Sequence, residues 1–450
     1  VTLELTNPES EYALISKLLF DPKAIDIVAD ILREEHFSEL FYGRIFSVIV
    51  TEHGRGSSLN PLTLRPHIEN DAAYVSAGGT TFLAGLTNVM AHMVPPKATA
   101  KQLIDLAKRR ALVLGLRESI ALGTDINESM EGVLDIAESA IVSASSVGDS
   151  VNQPSGEEAM LALIKAAESP KRSIRSRSLP AIDELLGGMR PKQLVIGGGR
   201  PGMGKTAGAL SYALGAAQNG HGVLFVSLEM GSTELAARMA ADMSFNGQSG
   251  VAYADINSDN PSSRAIRAMS DAASRLRDMP FHLIDAGSLS IGRLELLVRR
   301  YKRRFAAKGG SLDLIVVDYL QLLRCEDRNR SGYETVSEVS RRLKGMAKDY
   351  DVAVFALAQL SREVEKRADK KPILSDLRES GQIEQDADAV LFFYRHEYYV
   401  RQDGALSQSE REAAIRQCEG AIDFICAKRR NGITGSTVGD FNGAYQAVRG

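Results

Sequence analysis

Gly199-Arg200-Pro201-Gly202-Met203-Gly204-Lys205-Thr206 is the stretch on which the reading of this 450-residue chain turns. Glycines at this spacing let backbone N–H groups turn inward around phosphate oxygens, where a side chain at Cβ would obstruct them. Lys205 then offers a point charge to the β- and γ-phosphates of a nucleoside triphosphate, and the Thr206 hydroxyl offers a ligand to Mg2+. An apolar strand precedes the loop and a helix opens behind it, adding the positive end of its dipole. Gly199, Gly202, Met203, Gly204, Lys205 and Thr206 are therefore the expected ATP-binding residues.

From Lys192 onward, apolar β-type runs alternate with amphipathic helical runs. The expected strands are 193–196, 222–228, 281–284, 312–318, 352–358, 389–394 and 422–427, with long helices over 291–305 and 335–350. Such alternation calls for a largely parallel sheet with crossover helices, an α/β P-loop ATPase domain. A nucleotide site of this kind needs a carboxylate at a neighbouring strand end to hold the Mg2+ water shell, and Asp318 follows four consecutive apolar residues. It also needs a base for water. Glu229 closes the run Val223–Leu228, where a strand C-terminus meets the nucleotide crevice.

Four further runs carry a resemblance: Ser227-Leu-Glu229-Met230, Val317-Asp318-Tyr319-Leu320-Gln321-Leu322, Ala358-Gln359-Leu360-Ser361-Arg362 and Asp376-Leu-Arg378-Glu379-Ser380-Gly381-Gln-Ile-Glu384-Gln385-Asp386-Ala-Asp388. With Lys428-Arg429-Arg430-Asn431-Gly432 in order behind them, they resemble the bacterial and phage replicative DNA helicases of the DnaB type. The resemblance is close over about residues 176–435 and looser over the N-terminal region. It implies a RecA-like fold, a homohexameric ring with ATP between neighbouring subunits, and 5′ to 3′ movement on single-stranded DNA. It implies that Gln359 senses the γ-phosphate and links it to the DNA loops, and that Arg238 contacts nucleotide. Lys428 and Arg430 would reach into the adjacent subunit's site, and Arg378, Glu379 and Gly381 would follow the DNA backbone. A primase and a helicase loader are the further partners it implies.

Residues 1–146 read as an all-α N-terminal domain serving interaction or assembly, which the resemblance implies faces a primase. Asn7-Pro8-Glu9-Ser10-Glu11 is a helix start, with a capping side chain, proline in the first turn and acids at the positive end. Residues 97–147 read as two long helices joined by a short connector. Residues 147–177 are expected to be a linker carrying a helix, Glu157–Glu168, that docks on a neighbouring subunit, followed by a basic tether, 171–177. Residues 178–450 form the ATPase/helicase domain. Two segments depart from the family pattern: 398–420, read as a surface insertion, and the tail 440–450, whose last strand does not follow the usual ending.

Composition bounds the rest. Lys plus Arg is 54 and Asp plus Glu is 57, a net charge of −3, which excludes a bulk-basic nucleic-acid coat protein and leaves DNA contact to a local patch. Three cysteines, none in a C-x-x-C pair, exclude a disulfide framework and the zinc module of a fused primase. No run approaches the ~18–20 apolar residues of a membrane helix, so a cytoplasmic, nucleoid-associated protein is expected. Two alternatives stay open: a RecA-like recombination ATPase that forms filaments, and a scaffold that uses ATP only to switch assembly. The full set Lys205, Glu229, Asp318 and Arg430 speaks against a pure switch, which needs no hydrolytic apparatus.

Overall fold

A computed structural model describes residues 5–57, 59–87, 94–126, 128–146, 156, 157, 160, 161, 163, 164, 173–325, 331–377, 381–404 and 406–450. The chain divides into two compact units, 1–165 and 166–450.

The first unit is helical: α1 Pro8–Phe20, α2 Pro22–Val28, α3 Leu40–Gly54, α4 Pro61–Ile68, α5 Ala72–Ser76, α6 Thr80–Gly85, α7 Pro96–Gly123 and α8 Met130–Ser146. The start of α1 follows the sequence expectation: the Asn7 side chain accepts from the Ser10 N–H, with Pro8 in the first turn. Leu14, Ile15, Leu18, Val28, Leu32, Ile45 and Ile49 fill its core. One buried acid sits among them. Glu11 is 0% exposed and accepts from the Ser38 N–H and hydroxyl and from the Glu39 N–H, so its charge is matched by donors. α7 and α8 form the hairpin that the hydrophobic spacing calls for. Gly115 lets it close, because a Cβ there would overlap the Ala140 side chain, and the Ser119 hydroxyl fastens it by donating to the Val133 carbonyl at 2.9 Å. Of the expected docking helix, Met160, Leu161, Leu163 and Ile164 are helical and expose half or more of their surface; the remainder of 157–168 lies largely outside the described residues.

The second unit opens with α9 Pro180–Leu186 and is built on a nine-stranded sheet. In chain order its strands are β1 Leu194–Gly199, β2 Val223–Ser227, β3 Phe281–Asp285, β5 Leu314–Asp318, β7 Ala353–Gln359, β8 Ala389–Tyr394, β9 Ala421–Arg429, β10 Gly435–Asn442 and β11 Ala447–Arg449. β4 Leu289–Ser290 and β6 Leu323–Arg324 pair separately. The spatial order is β11-β10-β9-β8-β1-β7-β5-β2-β3. From β8 to β3 all neighbours are parallel, and β9, β10 and β11 continue the sheet antiparallel.

Alternate residues of each strand enter opposite cores. Val195, Phe225, Val316, Phe355 and Leu391 face one layer, and Ile196, Leu224, Val317, Val354 and Val390 face the other. A sheet covered on both faces needs apolar residues at every position, which is why these strands read as continuous apolar runs. The covering helices are α10 Lys205–Gln218, α11 Ser232–Ser244, α12 Tyr253–Ile256, α13 Ser263–Asp278, α14 Ile291–Ala307 and α15 Gly332–Tyr350. They are followed by α16 Gly381–Asp386, α17 His396–Gln402 and α18 Gln408–Cys418.

The basic stretch before the sheet is not a free tether over its described part. Ile174 is buried and bridges to Met189, and the Ser176 N–H donates to the buried Asp183 at 2.6 Å. In the 398–420 segment, α18 buries no residue and lies on the surface, but α17 is anchored inward. The tail forms two strands, with Arg449 held by the carboxylate of Asp242 on α11 at 3.0 Å.

Gly115→Ala should destabilise the first unit by about 1–3 kcal/mol, the usual cost of overpacking. Adding Ala140→Gly should recover much of that loss, less the ~0.5–1 kcal/mol cost of a glycine within a helix. Hydrogen exchange over residues 96–146 measures both; equal protection in the single and double variants would refute the close-approach argument.

Candidate active site

β1 lies between β7 and β8, so the chain leaves it where the sheet's strand order reverses, and the crevice at the strands' C-terminal ends is the expected ligand site. Register delivers the side chains. Gly199 at the end of β1 is level with Gln359 at the end of β7, and Ser227 at the end of β2 is level with Asp318 at the end of β5. Glu229 follows two residues beyond β2, in a turn pinned by Ser227, whose hydroxyl donates to the Met230 carbonyl at 2.7 Å. Lys205 and Thr206 open α10 directly behind the loop. Lys205, Thr206, Asp318, Glu229 and Gln359 thus gather on one edge of the sheet.

The electrostatics of that edge are those of an unsatisfied anion site facing an unsatisfied cation site. Burial pushes the Lys205 ammonium below its ordinary value, while Asp318 and Glu229 pull it back up. Its Nζ stands 4.7 Å from the centre of the Tyr319 ring. Asp318 is 1% exposed, and burial raises its carboxyl above the usual range against the opposing pull of Lys205. The Thr206 hydroxyl is near enough to favour the carboxylate, yet neither Asp318 oxygen accepts a well-formed hydrogen bond. A buried carboxylate without donors, beside a hydroxyl, is a donor set that a hard cation would complete. Among the described residues no group of three or more His, Cys, Asp or Glu forms a protein-only cage, so such a cation would take its other ligands from phosphate and water.

The phosphate loop is held from behind by residues that sequence reasoning missed. Gly202 and Gly204 have φ of +82° and +81°. A Cβ on Gly202 would lie 2.5 Å from the Tyr398 ring, and one on Gly204 would lie 3.1 Å from Phe441. Arg395 donates to the Gly202 carbonyl at 3.1 Å, lies 3.9 Å from the centre of the Phe441 ring and pairs with the buried Glu397. Met203 turns its side chain into the core, so its part is to shape the loop. Gln321 clasps the backbone of Gln359, accepting from its N–H and donating to its carbonyl, each at 3.2 Å. No local pattern announces Arg395, Tyr398 or Phe441, since their partners are remote in sequence. Gln321 lies inside one of the runs that carry the resemblance, but nothing in the run itself assigns it a role.

Arg238, on α11, donates to Gln446 of the tail at 3.0 Å and pairs with Glu234 at 3.1 Å. Its charge favours the ionised form of Asp318, which associates it electrostatically with this edge.

Lys428 and Arg430 do not join the group. Arg429 pairs with Ala389 at the start of β8, and the Arg430 N–H donates to Asp388 just before it, so both residues sit at the N-terminal end of the parallel strands. β1, with six residues, separates the two edges by roughly 17–20 Å at about 3.3 Å per residue. There Lys428 donates to the Glu384 carbonyl, and Arg430 donates to the Gln385 carbonyl at 2.9 Å and pairs with Asp388 at 3.5 Å. Burial and the neighbouring Arg430 lower the Lys428 ammonium. Gly381 opens α16, exposed and with open space around its Cα; Arg378 and Glu379 lie outside the described residues.

Comparison with known proteins places these geometries. Residues 176–449 match the model of the DnaB-like helicase C terminal domain, and residues 4–106 match that of the DnaB-like helicase N terminal domain. The replicative DNA helicase DnaB of Rickettsia conorii is 31% identical over 96% of this chain and 90% of its own length. The replicative DNA helicase DnaC of Bacillus subtilis is 28% identical over 96% and 91%. A solved DnaB-like replicative helicase, described together with its interactions with primase, superposes with a TM-score of 0.66 at 26% identity, covering 98% of this chain and 99% of that one. A second solved structure, described as an ATPase domain, gives 0.57 at 32% identity, over 66% of this chain and 99% of that one. With one family model covering more than half of it and a second covering most of its helical unit, the chain belongs to the DnaB-like helicase family.

Proposed function

We propose that this chain is an ATP-driven replicative helicase that works as a hexameric ring, moving 5′ to 3′ on single-stranded DNA and opening duplex ahead of it. The observation that carries the reading is the division of the site residues between the two edges of the sheet. One edge holds what a nucleotide needs in its own subunit; the other holds two cations too far away to serve it. A ring that brings the second edge of one subunit to the first edge of the next completes each site.

In that site Lys205 binds the β- and γ-phosphates and the amides of the 199–204 loop cradle them. Glu229 polarises the attacking water. The Thr206 hydroxyl and the Asp318 carboxylate would hold Mg2+, which would supply positive charge to offset that of the phosphates. Arg238 contacts nucleotide from α11. Gln359 meets the γ-phosphate region, its main chain fixed by Gln321. Lys428 and Arg430 of the adjacent subunit stabilise the charge that develops on the transferred group, a role worth about a thousand- to a hundred-thousand-fold in P-loop enzymes.

Arg378, Glu379 and Gly381 follow the DNA backbone. A motor that must pass over any sequence grips phosphates rather than reading bases. The exposed apolar residues of 160–164 suit docking on a neighbouring subunit, residues 147–177 serve as the linker between the domains, and the helical unit suits a primase, with a loader as a further partner. Residues 178–450 act as the motor domain. No helix among the described residues is long and apolar enough to cross a membrane; a cytoplasmic, nucleoid-associated place of work belongs to the helicase reading.

A forked duplex, compared with duplexes that carry only the 5′ tail or only the 3′ tail, tests the whole reading. Unwinding should require ATP and the 5′ tail; strand exchange or filaments in place of unwinding would favour a recombination ATPase. Mixing Arg430→Ala with Lys205→Ala subunits should give more hydrolysis than the sum of the two alone, because some interfaces then hold both an intact loop and an intact finger; strict additivity would refute the trans assignment. Gly202→Ala should weaken nucleotide binding about tenfold, since a left-handed backbone costs an L-residue ~1–2 kcal/mol and the new Cβ meets Tyr398. Tyr398→Ala in the same chain should recover only the steric part, and full recovery in equilibrium titration would show that backbone strain contributes nothing.

A further inference from the structure

The nucleotide edge holds one lysine beside two carboxylates, and yet no ion pair closes between Lys205 and Asp318. Burial opposes the Lys205 charge, while Asp318 and Glu229 both favour it. Both Asp318 oxygens are buried without a hydrogen-bond partner. What lies against the Lys205 Nζ is an aromatic face, the Tyr319 ring, 4.7 Å from its centre. That is inside the ~6 Å over which the negative face of a ring attracts a cation.

Tyr319 is itself fixed, because the main chain is tied on both sides of it. Before it, the Asp318 carbonyl at the end of β5 accepts from the Leu228 N–H at 2.8 Å; after it, the Tyr319 carbonyl accepts from the Leu322 N–H at 3.1 Å. The 3-10 turn Leu320–Leu322 that follows buries Leu320 completely. Tyr319 also packs against the core layer that contains Leu210 and Tyr212 of α10. The ring is a rigid platform, whereas a lysine stem is among the side chains that lose most freedom when ordered.

A closed pair of Lys205 with Asp318 would withhold both groups from a ligand, the carboxylate from a hard cation and the ammonium from phosphate. A ring is attractive but neutral. It engages one side of an ammonium that carries three N–H donors and leaves the rest for phosphate oxygens. We propose that Tyr319 is a positioning residue for nucleotide binding: its ring face holds Lys205 in place beside the phosphate loop and away from Asp318. The proposal rests on the nucleotide-site reading above. It gives a role to the aromatic residue directly after the strand-end carboxylate in the 317–322 run.

The experiment uses the full chain and a fluorescent non-hydrolysable ATP analogue with Mg2+, with Kd taken from equilibrium titration. Tyr319→Phe keeps the ring and should bind within about twofold of the wild type. Trifluorophenylalanine introduced at position 319 keeps nearly that shape but strips the negative potential from the ring face. It should weaken binding roughly three- to tenfold relative to Tyr319→Phe, the range of a partly desolvated cation–ring contact. Because the two replacements share a shape, packing cannot produce that difference. On a Lys205→Met background they should differ by less than about twofold, since the ammonium that senses the ring is gone.

Equal affinity with the two replacements would overturn the platform. So would tighter binding with the fluorinated ring, which would make the ring a competitor of the phosphates. A fluorine effect of the same size with and without the ammonium would also overturn it, because the ring would then act on the nucleotide directly. Wild-type affinity in Lys205→Met alone would overturn the phosphate-site reading itself, and the platform with it.

Discussion

Asp318 is a carboxylate at the end of a fully buried strand with neither oxygen properly hydrogen-bonded. A charge in that position costs several kcal/mol unless something answers it, and the nearest full positive charge, on Lys205, is itself partly desolvated. Each favours the other's charged form against the burial that opposes it, and no ion pair closes between them. The architecture of the second unit follows from the need to hold that arrangement still. Parallel strands bring Asp318, Ser227 and Gln359 to one edge, and the glycines of the phosphate loop let Tyr398 and Phe441 pack against its back. A rigid anion opposite a rigid cation is a preorganised site for a phosphate and its counter-ion.

On the proposed reading, the same sheet leaves each subunit's site incomplete without its neighbour. Strands have two ends, and the antiparallel return of β9 carries Lys428 and Arg430 to the end opposite the phosphate loop. They are not idle there: both donate to carbonyls at the close of α16, where helix carbonyls lack internal partners and attract cations. α16 begins at Gly381, the last residue of the run proposed to follow DNA. Glu365 is therefore fastened to its own subunit's phosphate loop, and the close of α16 to the residues proposed to serve the neighbour's.

The sequence made seven strands legible because burial on both faces demands apolar residues at every position, and each expected run lies within a few residues of an observed strand; β4, β6, β10 and β11 answer to no expected run. The α7–α8 hairpin was legible for the complementary reason, a 3.6-residue period interrupted by a short connector. The Asp318 and Glu229 positions followed from strand ends alone. What remained hidden depends on contacts between residues far apart in the chain. Arg395 meets Gly202, Arg238 meets Gln446, and Arg200 meets Glu365, each across well over a hundred residues. By composition alone Arg362–Lys371 is a charged run with five cations and three acids. The structure instead joins Glu365 to Arg200, Lys366 to Glu363 and Arg367 to Asp376. Charge counts along a sequence do not reveal which charges are already paired.

The tail shows the same limit from the other side. Its last eleven residues depart from the family pattern, and on sequence grounds they carry no chemistry. In the fold they hold α11 at two points four residues apart: Gln446 binds Arg238, and Arg449 binds Asp242, whose carboxyl burial raises despite that partner. The Tyr445 ring stacks on Phe245, 4.8 Å between centres, at the end of the same helix. Divergent residues thus orient a helix that carries an arginine toward the nucleotide edge. A tail that changes can preserve the function of the site, provided it keeps a ring behind the phosphate loop at Phe441, an acceptor where Arg238 needs one and a cation where Asp242 is buried.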